Sequence, residues 1–83
     1  MTIVEGCQAY TKMDNAKPVP SAIINEFIVA SFNECVMSCE YTPGCAAAGL
    51  QKGVVQGQGR GQCVLGSSLT SLETNTDFYL YTF

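Results

Sequence analysis

Apolar positions fall into short, separate runs along the chain. Residues 22–30 carry Ile23, Ile24, Phe27, Ile28, Val29 and Ala30, so the latter part reads as a buried, β-branched strand. Before it, residues 3–11 alternate loosely through Val4, Cys7, Ala9 and Tyr10, which predicts one or two short strands. Residues 12–21 are mostly polar, and Pro18 and Pro20 bracket Val19. Proline lacks the amide hydrogen a ladder needs, so this segment reads as a loop. At the other end Phe78–Phe83 alternates as a closing strand. Tyr79, Tyr81 and Phe83 share one face, and Phe78, Leu80 and Thr82 the other.

The helical signal lies between these runs. Ser31-Phe32-Asn33-Glu34 has capping-box spacing: the serine oxygen can accept the glutamate's amide hydrogen, and the glutamate can reach back to the serine amide. A helix over about 32–41 then places Phe32, Cys35, Val36 and Cys39 on one side, at i, i+3, i+4 and i+7. Pro43-Gly44 stops it. The small residues of 45–51 suit a strand directly under the helix. Gly53 to Gly61 reads as a flexible hairpin tip, and residues 62–66 as the return strand. Residues 67–76 are polar, with Leu69 and Leu72 as expected anchors. No repeat or linker interrupts the chain, so residues 1–83 read as a single domain of the α+β class.

Composition narrows the functions. The 83 residues are 47% hydrophobic and only 13% charged, which argues against disorder and allows a small core. Without histidine there is no Ser-His-Asp or Cys-His machinery and no histidine metal site. A net charge of -3 leaves no basic footprint for nucleic acid. The apolar runs are far shorter than the roughly 20 residues of a membrane-spanning helix.

Five cysteines, at 7, 35, 39, 45 and 63, are dense for a cytosolic protein and ordinary for a small secreted one. This density predicts an extracellular protein whose leader is missing ahead of Met1, because Met1-Thr2-Ile3-Val4-Glu5-Gly6 has neither a basic region nor a long apolar one. Zinc is the competing use of four cysteines, but the C-x3-C-x5-C-x17-C order lacks the close knuckles of zinc sites, and no C-x-x-C redox motif occurs. Neither a metal nor another cofactor is expected. Cys39-Cys45 would close the turn around Pro43-Gly44, and Cys35-Cys63 would tie the helix to the return strand. The pairings 35–45 with 39–63, and 35–39 with 45–63, stay open, although a bond within one helical turn is geometrically poor.

Four segments together resemble the PAN/apple domain family: residues 31–39, then Pro43-Gly44-Cys45-Ala46-Ala47, then Gln62-Cys63-Val64-Leu65, then Phe78-Tyr79-Leu80-Tyr81. The resemblance runs over roughly residues 7–83. It implies a twisted antiparallel sheet of about five strands packed on one α-helix. It also implies two central disulfides, first to fourth and second to third, which are Cys35-Cys63 and Cys39-Cys45 here. Many members add a bridge joining the termini. Cys7 matches its first half, but no partner follows, so the chain departs from the six-cysteine pattern. Cys7 is expected to be unpaired, to link two copies, or to have lost its mate to truncation, giving a monomer or a Cys7-linked dimer.

The resemblance further implies a non-catalytic recognition module for carbohydrate or extracellular protein. The residues offer ligand-binding candidates. Tyr79 and Tyr81 present rings that can stack on sugars, against the plainer reading that they are core. Gln51, Lys52, Arg60 and Gln62, with Gln56 and Gln58, crowd the hairpin, against the plainer reading of a solvated loop. Lys12, Asp14, Asn15 and Lys17 decorate the other long loop. The acids are scattered or used in capping, with no marked pair for glycoside cleavage, no calcium loop and no phosphate loop, so the expectation is not an enzyme. Carbohydrate binding stands first, ahead of protein–protein adhesion with possible self-association and of a small, stable structural or defence protein.

Overall fold

The computed structural model describes residues 10–82. Five strands form one antiparallel sheet: β1 (Thr11–Pro18), β2 (Ile23–Val29), β3 (Ala47–Gln51), β4 (Gly61–Gly66) and β5 (Leu72–Thr82), in spatial order β1-β5-β3-β4-β2. One helix, α1 (Phe32–Tyr41), packs on one face, and a single helical turn, α2 (Lys52–Val55), follows β3. The expected α+β architecture of five strands and one principal helix is therefore present, with α2 as an addition. The expected strands around Val4, Cys7 and Ala9 lie outside the described residues, as do Cys7 itself and Phe83.

Helix α1 forms where its capping signal places it. Ser31 Oγ accepts the Glu34 amide hydrogen at 3.3 Å, while Glu34 Oε1 accepts from the Ala30 amide at 2.7 Å, one residue earlier than the expected reciprocal bond. Gly44 adopts φ +82°, a left-handed backbone that reverses the chain after the helix with no side-chain penalty. Cys35 and Cys39 are buried in the helix–sheet core with Val29, Ala48, Leu50, Cys63, Leu65 and Tyr81. The disulfides are Cys35–Cys63 and Cys39–Cys45, with Cα–Cα distances of 5.6 and 5.3 Å. They are the two bonds the family resemblance implies. Disulfides of this kind belong to an oxidising environment.

Residues 12–21 are not the loop that their prolines predict. Among the described residues Thr11–Pro18 is an edge strand, paired only with β5, followed by a 3₁₀ turn at Pro20–Ala22. Most of its side chains are exposed, so it lacks the apolar alternation that marks a half-buried strand. Pro18 ends the strand, where a missing amide costs little. The connection to β2 must cross from one sheet edge to the other, and it covers the face opposite α1. A Cβ on Gly66 would lie 2.6 Å from Pro18 Cγ, so glycine is what lets the proline ring seat on the sheet. Val19 N–H donates to Ser71 O at 3.0 Å and Ser67 N–H to Ala22 O at 2.9 Å, which fastens the crossing at both sides.

The polar stretch 67–76 is likewise half strand. β5 begins at Leu72, pairing with Pro18, and only its second half pairs with β3 as well. Leu72 packs on the smaller core cluster of Ala16, Ala47 and Leu80. Leu69 is not an anchor: it is 52% exposed, in the loop before β5 that Ser68 Oγ closes by accepting from the Thr70 and Ser71 amides.

Candidate functional site

The hairpin tip is more ordered than its glycines suggest. After β3 the chain makes α2, which buries Val54 in the helix-side core. Gln56 and Gly57 N–H donate to the carbonyls of Lys52 and Val54, and Gln58 N–H to Gly53 O at 2.8 Å. An apolar anchor thus holds the tip in place while its polar side chains stay outside.

The facing wall comes from an irregularity in β5. Asp14 pairs with Tyr79, but Ala16 pairs with Thr74, so residues 75–78 of β5 lie opposite Asn15 alone. Asn15 adopts φ +62°, a backbone that asparagine tolerates better than most residues. The surplus chain bulges outward, which re-aims side chains as sheet irregularities do. Asn75 Oδ1 accepts from Asp77 N–H at 2.9 Å and steadies the bulge.

Between α2, the 56–60 turn and this bulge lies an open cleft of about 370 Å³. Gln51, Lys52, Gln56, Gln58, Arg60, Thr76 and Asp77 line it, together with Gly53 and Val54. Gln51 Oε1 accepts from the Gln62 amide at 2.6 Å, which fixes the glutamine carboxamide at one end. Lys52 Nζ donates to Asn15 Oδ1, tying the short turn to β1 opposite the β5 bulge. The Lys52 ammonium also lies 5.1 Å from the Tyr79 ring centroid, and that of Lys12 lies 3.9 Å from the same centroid, both within cation–π range.

Of the six ligand-binding candidates, the fold brings Gln51, Lys52 and Arg60 into this cleft. Gln62 goes elsewhere: its Nε2 donates to Glu26 Oε1 on the neighbouring strand β2. Tyr79 is half-buried beneath the two lysines. Tyr81 is not a contact residue but core, 2% exposed. It meets Phe32 edge-on at 4.8 Å and Tyr10 edge-on at 5.5 Å, so its ring is covered by other aromatic rings. Burial, followed by the charges of Tyr10, Tyr79 and Asp14, pushes the Tyr81 hydroxyl up to about 12.

Sequence reasoning set Thr76 and Asp77 apart from the hairpin, because only the β5 bulge brings them to it. Lys12, Asp14 and Asn15 belong to an edge strand rather than a loop. Lys17 goes to the opposite face, 5.0 Å from the Phe78 ring centroid. Among the described residues, no group of three or more His, Cys, Asp or Glu is arranged to hold a metal ion, and no helix is long and apolar enough to cross a membrane. Comparison with protein families, curated proteins and solved structures finds no match for this chain.

Proposed function

We propose that this chain is a non-catalytic, secreted recognition module of PAN/apple type that binds carbohydrate in the cleft beside α2. The observation that carries this reading is the convergence of Gln51, Gln56, Gln58, Arg60, Thr76 and Asp77 on one open surface. Carboxamides donate and accept together, a carboxylate accepts from two neighbouring hydroxyls, and a guanidinium donates in a planar fork. That set suits vicinal hydroxyl groups on a sugar ring. The cleft volume lies at the lower end of the range for small-molecule sites, and its open form suits a segment of a polymer. The disulfide-stapled sheet gives it a rigid base, which reduces the ordering cost of binding.

Glycan-array screening of the oxidised protein, followed by NMR titration with the best ligand, tests the reading. Shifts concentrated at residues 51–60 and 76–77 are expected. An array that stays flat across a broad concentration range overturns it.

Protein–protein adhesion is the second reading, favoured by β2. Among the described residues this strand pairs only with β4, which leaves its other side as a sheet edge, and Ile28 on it is 63% exposed. Open edges accept further strands. Sedimentation with and without reductant separates self-association through this edge, which persists in reductant, from a Cys7-linked dimer, which does not.

A further inference from the structure

The charge distribution around the cleft runs against that of the chain. Seven acidic residues outnumber four basic ones, yet Lys52 and Arg60 both line the cleft, and Lys12 shares the Tyr79 ring with Lys52. Within the lining, Asp77 is set against two cations. Lys17, the remaining basic residue, lies on the opposite face of the sheet.

Cations gathered at one end of an acidic chain repel one another. A bound anion relieves that repulsion, and a concave site with a surplus of positive charge focuses the field on it. The positions are also held. The Asn15 hydrogen bond and the Tyr79 ring orient the Lys52 ammonium, so less side-chain freedom is lost when a ligand arrives. Arginine and lysine are the side chains that bind carboxylate and sulfate most strongly, through charge-assisted hydrogen bonds.

We infer that the cleft selects acidic carbohydrate, a hydroxylated chain bearing carboxylate or sulfate groups: Lys52 and Arg60 take the anionic group, Asp77 and the glutamines take ring hydroxyls, and Lys12 extends the positive rim. The inference rests on the carbohydrate reading above and adds the charge of the ligand. Neutral sugars satisfy the hydroxyl contacts but leave the cations uncompensated.

The test is calorimetric titration of the oxidised chain with four probes of matched length: an oligogalacturonate, a sulfated glycosaminoglycan oligosaccharide, a cello-oligosaccharide and a chito-oligosaccharide. At least one acidic probe is expected to bind about tenfold or more tightly than the neutral ones, and the stronger of the two identifies carboxylate or sulfate as the anion. Raising salt from about 0.02 to 0.5 M shortens the Debye length severalfold and is expected to weaken binding by about tenfold. Lys52→Gln and Arg60→Gln are each expected to weaken it by about five- to tenfold, the range of one charge-assisted contact. Lys17→Gln removes the same charge from the opposite face and is expected to leave binding unchanged.

Neutral probes that bind as tightly as acidic ones, with no loss in Lys52→Gln or Arg60→Gln, overturn the inference and leave the carbohydrate reading standing. A loss as large in Lys17→Gln also overturns it, because net charge and not the cleft is then responsible. Absence of binding to all four probes, together with a flat glycan array, removes both readings.

Discussion

Cys35 in α1 is bonded to Cys63 in β4, joining two buried positions that are 28 residues apart in the chain. Cys63 pairs across the sheet with Leu50 on one side and Phe27 on the other, so the bond enters the middle of the sheet. The second bond, Cys39–Cys45, closes a separation of 6 residues around the turn after α1. Loop-closure entropy gives the longer bridge about 3.5 kcal/mol and the shorter about 2 kcal/mol. A Cys35→Ala/Cys63→Ala variant is therefore expected to lose more stability in urea unfolding than Cys39→Ala/Cys45→Ala. Equal losses contradict the assignment of the first bridge as the main covalent brace.

The seating of Pro18 against Gly66 makes a second prediction. Gly66→Ala places a methyl group inside the proline ring's contact distance, and overpacking of this kind costs about 1–3 kcal/mol. Removing the ring by Pro18→Ala in the Gly66→Ala background is expected to restore part of that loss. A double-mutant cycle by thermal or urea unfolding reads the coupling. Strict additivity contradicts the contact.

Tyr81 sets an alkaline limit on stability. Its hydroxyl ionises near pH 12 in the folded chain, against about 10 when unfolded. The folded state therefore holds a proton that the unfolded state has lost throughout this window. The contribution is intact below pH 10 and falls as pH rises from 10 towards 12, by up to about 1.4 kcal/mol per pH unit. Ultraviolet titration of tyrosinate should show one residue ionising near pH 12. Tyr81→Phe should remove that late step and flatten the alkaline fall in stability.

The start of α1 gives a local prediction. Ser31→Ala removes the acceptor for the Glu34 amide and is expected to cost about 1 kcal/mol. Ser31→Asp keeps an acceptor there and adds a negative charge at the positive end of the helix dipole, so it is expected to retain most of that stability. Chemical denaturation of the two variants makes the comparison.

The elements legible in the sequence are those whose signal is local. The capping box and the Pro43-Gly44 stop mark α1 because capping and breaking are decided within a few residues. The later part of 22–30 reads as strand because its side chains are apolar and β-branched, and it becomes β2, but not the buried strand expected: it pairs at the side of the sheet, only Val29 is buried, and Ile28 is 63% exposed. The small residues of 45–51 read as a strand beneath the helix for steric reasons, and β3 lies there. Five cleft residues, Gln51, Lys52, Gln56, Gln58 and Arg60, were legible as a polar crowd on one hairpin.

Tertiary structure decided the rest. β1 and the first half of β5 are polar strands that exist by pairing with each other, and ladder hydrogen bonds between segments some 60 residues apart leave no local pattern. That pairing, with Asn15 facing the β5 bulge, carries Thr76 and Asp77 to the hairpin and the Lys12 ammonium to the Tyr79 ring. Tyr79 and Tyr81 share a strand face, yet Phe32 of α1 and Tyr10 cover Tyr81 more fully. Which of the two rings is covered depends on where the helix begins over the strand, a relationship that residue spacing alone does not contain.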